Sequence, residues 1–305
     1  MALTQGWVEV TPSQFPFEAE GLSLVRDLLP DEPPFRAWSN FEFRDNQGKW
    51  HEVDLVVLGR RRMHLVELKY WAGTIKGDDH IWRREGRPAT DSPLKLARRK
   101  AQRLAGKLTD ELHRLAQHSQ AKVPDPKAVV PFVQEAVFLH HPATKCLLPV
   151  GSRKDIFGLD GRSTDSLLPG IGERLLEPAE SDPKWSIGAN RSAIVSKLMS
   201  GIGAVQRRQR EAGSWIIDEE PLDEGTGWQD WPAFQRVTQD RPDTVLRQPA
   251  GHVGDRGEAA SPRRHPRVPG RRNPVARRSD SAAGHRGHRD GRRPGVPARR
   301  PVPAA

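Results

Sequence analysis

The strongest constraint on the fold is a pair of apolar runs, Trp50–Leu58 and Met63–Tyr70, separated only by Gly59-Arg60-Arg61-Arg62. Each is rich in Val and Leu and has the length of a strand. A link of four residues joins them most simply as an antiparallel hairpin. Both runs are interrupted by charge: Glu52 and Asp54 in the first, Glu67 and Lys69 in the second. Side chains alternate faces along a strand. Glu52 and Asp54 therefore share one face, with Val53, Leu55 and Val57 on the other, and Glu67 and Lys69 share a face opposite Val66 and Leu68. Charged groups at such positions are costly unless they are paired or bound to a metal. Two carboxylates from neighbouring strands can hold a hard cation such as Mg²⁺ through oxygen ligands. Such a cation neutralises a phosphate oxygen and lowers the pKa of bound water. A lysine two residues beyond one carboxylate can orient the attacking water or stabilise developing charge. The bland alternative makes Asp54 a turn cap at a strand end and Glu67–Lys69 a solvated pair on an exposed sheet face.

The flanking segments supply helices and further strands. Leu22, Val25 and Leu29 recur at helical spacing over Glu18–Leu29, and Pro30 ends the run. Phe41–Arg44 alternates as a strand, and Asp45-Asn46-Gln47-Gly48 follows as a turn. Gly73–Gly77 and Ile81–Arg83 form a short strand pair. Ser92 is a suitable N-cap with Pro93 at the first helical position. The helix it opens carries an apolar stripe of Leu94, Ala97, Ala101, Leu104 and Leu108. Lys95, Arg98, Arg99, Arg103 and Lys107 lie largely off the stripe, on a face that either follows a DNA backbone or is simply solvated. Val129–Leu139 reads as a strand broken early by Pro131, and Ile194, Leu198, Ile202 and Val205 mark a helix near 190–207. Trp38, Trp50, Trp71 and Trp82 are expected to pack rather than to stack on bases. His51 and His64 are expected at the surface or satisfied, and Cys146 is expected as an ordinary packed thiol.

Charge divides the chain unevenly. The 305 residues carry a net charge of +10, but residues 241–305 hold 16 Arg and 5 acidic residues, leaving 33 basic and 34 acidic residues before them. A basic-protein argument for nucleic-acid binding therefore does not apply to the first 240 residues. The last 65 residues contain no Phe, Ile, Lys, Met, Trp or Tyr and are dominated by Arg, Pro, Gly and Ala. They cannot bury enough apolar surface to order a chain, which predicts disorder. These four residue types have GC-rich codons, and the change of composition between Gln239 and Arg247 is abrupt. A frameshift is the expectation, with a genuine arginine-rich arm as the rival. Translating the gene in its other two frames decides between them. Three zones follow: a domain over 12–145, an extension and linker over 146–240, and the tail. No stretch approaches the roughly 20 apolar residues of a spanning helix, the N-terminus shows no secretory signal, and a single cysteine fits a reducing cytoplasm.

Asp54 followed by Glu67-x-Lys69 has the pattern of the PD-(D/E)xK nuclease superfamily. Phe17-Glu18-Ala19-Glu20-Gly21-Leu22, Glu52-Val53-Asp54-Leu55-Val56-Val57 and Leu65-Val66-Glu67-Leu68-Lys69-Tyr70-Trp71-Ala72-Gly73-Thr74-Ile75 resemble the nuclease-related (NERD) domain. Ser92-Pro93-Leu94 with Lys100-Ala101 resembles the helix that follows in that family. The resemblance covers about residues 14–140. Phe35–Phe43 and Gly227–Ala233 are also similar to the N-terminal region of large bacterial serine/threonine kinases of phage-growth-limitation (BREX-type) defence systems, in which a kinase domain would follow. The glycine-rich loop with its strand lysine and the catalytic loop of a kinase are both missing here, so this chain is not expected to phosphorylate protein.

The resemblance implies an α/β fold with a mixed sheet of about four or five strands flanked by helices. It implies that Asp54 and Glu67 bind Mg²⁺ or Mn²⁺ and that Lys69 acts on the attacking water or the phosphate. An acidic residue of the first helix completes the metal shell; Glu20 is the choice, Glu18 the other candidate. Glu52 is a neighbour rather than a ligand. The family often places glutamine in the later helix, where Lys95, Lys100 and Gln102 are the candidates for a phosphate contact. The expected activity is DNA cleavage in phage defence or DNA processing. The rivals are a silent DNA-binding module and a docking module for other defence-system subunits. No membrane partner is expected.

Overall fold

A computed structural model describes residues 2–120, 122–161, 168–207, 211–212, 215–218, 221–226, 228–235 and 244–249. Its centre is a seven-stranded mixed sheet. The expected hairpin is there: β3 (Trp50–Leu58) and β4 (Met63–Lys69) are antiparallel, paired from Leu58↔Met63 to Leu55↔Val66. β2 (Arg36–Arg44) lies antiparallel on the other side of β3, and β1 (Trp7–Glu9) runs parallel to β2. Beyond β4 the sheet continues in parallel through β8 (Val133–Leu139) and β10 (Ile156–Phe157). β11 (Val205–Gln206) adds a two-residue antiparallel pairing to Phe41 and Glu42 of β2. The sheet is thus larger than the four or five strands expected.

Helices cover both faces, as a sheet with two apolar sides requires. α1 (Pro16–Leu28) packs Leu22 and Val25 against Leu55, Val57, Val66 and Leu68, together with Ile171 and Leu175 of α4 (Ile171–Leu175). On the opposite face α2 (Pro93–His118) buries Ala97, Ala101, Leu104 and Leu108 against Val56, Leu58, Met63 and Leu65. The α2 stripe is the expected one, except that Leu94 is only partly buried and turns to a third cluster around Trp71, Ile75 and Trp82. That cluster underlies a small sheet of β5 (Gly73–Gly77), β6 (Ile81–Arg84), β7 (Thr90–Asp91) and β9 (Thr144–Cys146). Ser92 occupies the N-cap of α2 with Pro93 following, but its side chain makes no capping bond.

Several boundaries move. The segment before β8 is a short helix, α3 (Pro126–Val129), because Pro131 keeps the strand from starting earlier. α5 (Ala189–Gly201) ends before Ile202, and Gly203 at φ +74° turns the chain into β11. Its buried face is Ser192, Val195, Leu198 and Met199, whereas Ile194 and Val205 of the expected stripe are exposed. Trp38, Trp71 and Trp82 are buried as expected, but Trp50 is exposed at the end of β3. The expected boundary at residue 145 falls inside β9, and α5, β10 and β11 of the extension pack with the central sheet. A second, five-stranded sheet contains β12 (Glu211–Ala212), β13 (Trp215–Ile217), β14 (Asp223–Gly225), β15 (Trp228–Gln235) and β16 (Thr244–Pro249). Within the segment whose composition predicts disorder, Thr244–Pro249 pairs with β15 and buries Leu246 with Trp231. Residues 250–305 lie outside the described residues. No described helix is long and apolar enough to cross a membrane.

Candidate active site

The strict face alternation expected along β3 breaks at Asp54. Val53 packs on the α2 side with Val56 and Leu58, while Leu55 and Val57 pack on the α1 side. The cause lies across the ladder. Asn40 of β2 sits between the pairs Ser39↔Leu55 and Phe41↔Val53 and adopts φ +53°, a left-handed conformation that Asn tolerates. The β3–β4 ladder ends at the same level. Beyond Leu55↔Val66, the Asp54 carboxylate takes its place, with Oδ2 accepting the Leu68 backbone N–H at 2.9 Å. Asp54 is 4 % exposed and lines a cavity of about 250 Å³.

The cavity brings the expected residues together. Glu52, Asp54, Glu67, Lys69 and Lys100 line it. Glu67 is 5 % exposed and sits between two ammonium groups: Lys100 Nζ donates to Oε1, and Lys69 Nζ lies 3.9 Å from Oε2. Lys100 arrives from α2, whose Pro93, Leu96 and Lys100 line the cavity at helical spacing. The small Ala97 and Ala101, both buried, carry the neighbouring face of α2 against the core. Lys100 is thus the α2 residue that meets the carboxylates. Lys95 pairs with Asp91 at 3.5 Å, and Gln102 lines a separate cavity beside Arg98 and Glu135.

The acidic residue from α1 is Glu18 rather than Glu20. Glu18 is 7 % exposed and faces the cluster; Glu20 is exposed on the solvent side of the helix. The helix phase that the sequence left open is set by Gly21. A Cβ there would stand 2.6 Å from Leu68 Cδ2 and 2.8 Å from His140 Nε2. Only glycine lets α1 approach β4 and the end of β8 this closely, and Glu18 lies one turn earlier on that face.

Two further residues belong to the site. Arg207, immediately after β11, is 8 % exposed, and its guanidinium reaches three carboxylates. It donates to Glu18, to Glu52 and, at 3.3 Å, to Asp54 Oδ1, while its backbone N–H donates to Thr11 Oγ1 at 2.7 Å. In the sequence it is one of three arginines in Arg207-Arg208-Gln209-Arg210, and no local signal links it to Glu18, 189 positions away. His140, at the end of β8, is 1 % exposed, and with Glu18, Asp54 and Tyr70 it lines a small void behind the cluster. Burial, His141 and Lys69 push its imidazole down to about 4, so it is neutral at pH 7. His51 pairs with Asp45 at 2.7 Å and His64 is buried in the sheet, so neither reaches the site.

Among the described residues no group of three His, Cys, Asp or Glu side chains is arranged to enclose a metal. The donor set fits a more open arrangement. Mg²⁺ commonly keeps several waters and takes one or two protein carboxylates beside substrate phosphate oxygens. Asp54 and Glu67, on adjacent strands and on one cavity, could supply those two carboxylates, with Lys69 beside them.

The chain is 32 % identical over 232 residues to a protein named probable kinase PglW from Streptomyces coelicolor (strain ATCC BAA-471 / A3(2) / M145), a match that takes in 74 % of this chain. The chain spans about 13 % of that relative's length. No solved structure matches. Residues 15–140, which hold Glu18, Asp54, Glu67, Lys69 and Lys100, match the nuclease-related domain and belong to that family.

Proposed function

We propose that this domain is a Mg²⁺- or Mn²⁺-dependent endonuclease acting on DNA phosphodiester bonds, in the service of phage defence. The observation that carries the proposal is the meeting of Asp54, Glu67 and Lys69 on one cavity, from two strands whose ladder ends where the carboxylate of Asp54 begins.

Asp54 and Glu67 would hold the ion, which when bound neutralises a phosphate oxygen and makes its water more acidic. The protein's own groups do the rest. The Leu68 N–H fixes the Asp54 carboxylate, so its orientation needs no adjustment when substrate arrives. Lys69 carries a positive charge to the edge of the cavity, where it orients the attacking water and stabilises charge developing on the phosphate. Lys100 holds Glu67 in position and adds a second cation facing the phosphate. Phe17 stacks on Tyr70 at a centroid distance of 5.7 Å, and both rings line the small void behind the cluster.

A silent DNA-binding or docking module is the second reading, favoured by the pairing of Asp54 and Glu67 with basic side chains. Plasmid and oligonucleotide cleavage with Mg²⁺, Mn²⁺ or chelator separates the readings. Metal-dependent cutting that falls about 10²–10³-fold in Lys69→Met supports the nuclease. Salt-sensitive DNA association without cutting supports the binding module, and the lack of both supports docking.

A further inference from the structure

The nuclease-related match ends at residue 140, yet the most buried cation of the site comes from residue 207. We infer that Arg207 is a built-in competitor of the metal: its guanidinium pairs with Glu18, Glu52 and Asp54 in the resting protein and must leave Asp54 before a divalent ion can be held. This rests on the metal-dependent reading above.

The geometry leaves little room for both cations. The Arg207 side chain is 5 % exposed, and Nη2 lies 3.3 Å from Asp54 Oδ1. The other Asp54 oxygen is already taken by the Leu68 N–H. Glu18 and Asp54 are buried and Glu52 is half-buried, and all three meet at the Arg207 guanidinium, while Lys69 and Lys100 pair with Glu67. Buried carboxylates need a counter-charge. A guanidinium supplies one charge and several donors in a fork; a divalent ion supplies two charges at a point.

The segment that delivers Arg207 is suited to release. It is held by the two-residue pairing of β11 to Phe41 and Glu42 and by the Thr11 hydrogen bond, and it follows Gly203. A phosphodiester gives the displaced guanidinium a bidentate partner of its own. Metal and nucleic acid therefore favour the same displacement, so that each raises the apparent affinity for the other.

The test is Mn²⁺ binding to the full chain, followed by the paramagnetic resonance signal of free Mn²⁺ at fixed ionic strength. Arg207→Gln is expected to bind Mn²⁺ at least about tenfold more tightly than wild type, because the binding-competent fraction is no longer reduced by the arginine. Arg207→Lys stays near wild type, and adding Asp54→Asn to Arg207→Gln removes the gain. Equal affinity in wild type and Arg207→Gln overturns the proposal and leaves the metal site standing. No Mn²⁺ binding at Asp54 in any variant overturns both. Thermal melting covers impaired folding: Mn²⁺ should raise the melting temperature of Arg207→Gln more than that of wild type. An Arg207→Gln chain that Mn²⁺ fails to stabilise also overturns the proposal.

Discussion

Lowering the pH from 7 to 5 is expected to remove about 4 kcal/mol of folding stability, carried by two buried imidazoles. His64 sits in β4 between Val57 and Gln134 and is 1 % exposed; burial, with Arg62 and Arg174 nearby, pushes it down to about 3. His140 is pushed down to about 4 by burial, His141 and Lys69. In the unfolded chain both take up a proton near the ordinary 6.5. Between 6.5 and the folded values the unfolded state therefore binds more protons, and stability falls as pH falls. At pH 5 each unfolded histidine is almost fully charged while its folded counterpart is still neutral, and linkage gives about 2 kcal/mol for each. Asp155, whose carboxyl burial holds above the usual range, works in the opposite direction at lower pH. Comparison with variants cancels that contribution. Urea unfolding at pH 7, 6 and 5 is the assay. His64→Gln and His140→Gln should each lose about half of the pH-dependent part, and the double variant most of it. An unchanged pH slope in the double variant would refute the reasoning.

Other perturbations probe the packing and the site. Gly21→Ala should destabilise by about 1–3 kcal/mol, despite alanine's better helix propensity, because its Cβ would collide with Leu68 and His140; denaturant midpoints measure it. Leu104→Ala empties part of the fully buried α2 face and should cost about 2–5 kcal/mol in the same assay. Lys100→Met should lower metal-dependent cleavage by about 10–100-fold through the lost positioning of Glu67, with an unchanged circular dichroism spectrum. Ending the chain at residue 243 removes one of the strands paired with β15 and takes Leu246 away from Trp231, so limited proteolysis should cut residues 211–235 faster than in the full chain.

The sequence alone determined the local elements and the pair of strands at the centre. Apolar runs of strand length and the α2 stripe are short-range signals, written in residues that bury their own neighbours, and the bounds of β3 and β4 and the buried stripe of α2 follow them closely. The candidate set Asp54, Glu67 and Lys69 was legible for the same reason, since charge that interrupts an apolar strand stands out against its neighbours. Tertiary structure decided what depends on distant partners. Choosing Glu18 over Glu20 required the depth of α1 against Leu68, which Gly21 sets. Choosing Lys100 over Lys95 and Gln102 required the rotation of α2 on the sheet. The change of face at Asp54 required the left-handed Asn40 on the next strand. Arg207 required the return of the chain to β2 after α5, because a charge leaves no periodic trace of the carboxylates it meets 153 to 189 residues away.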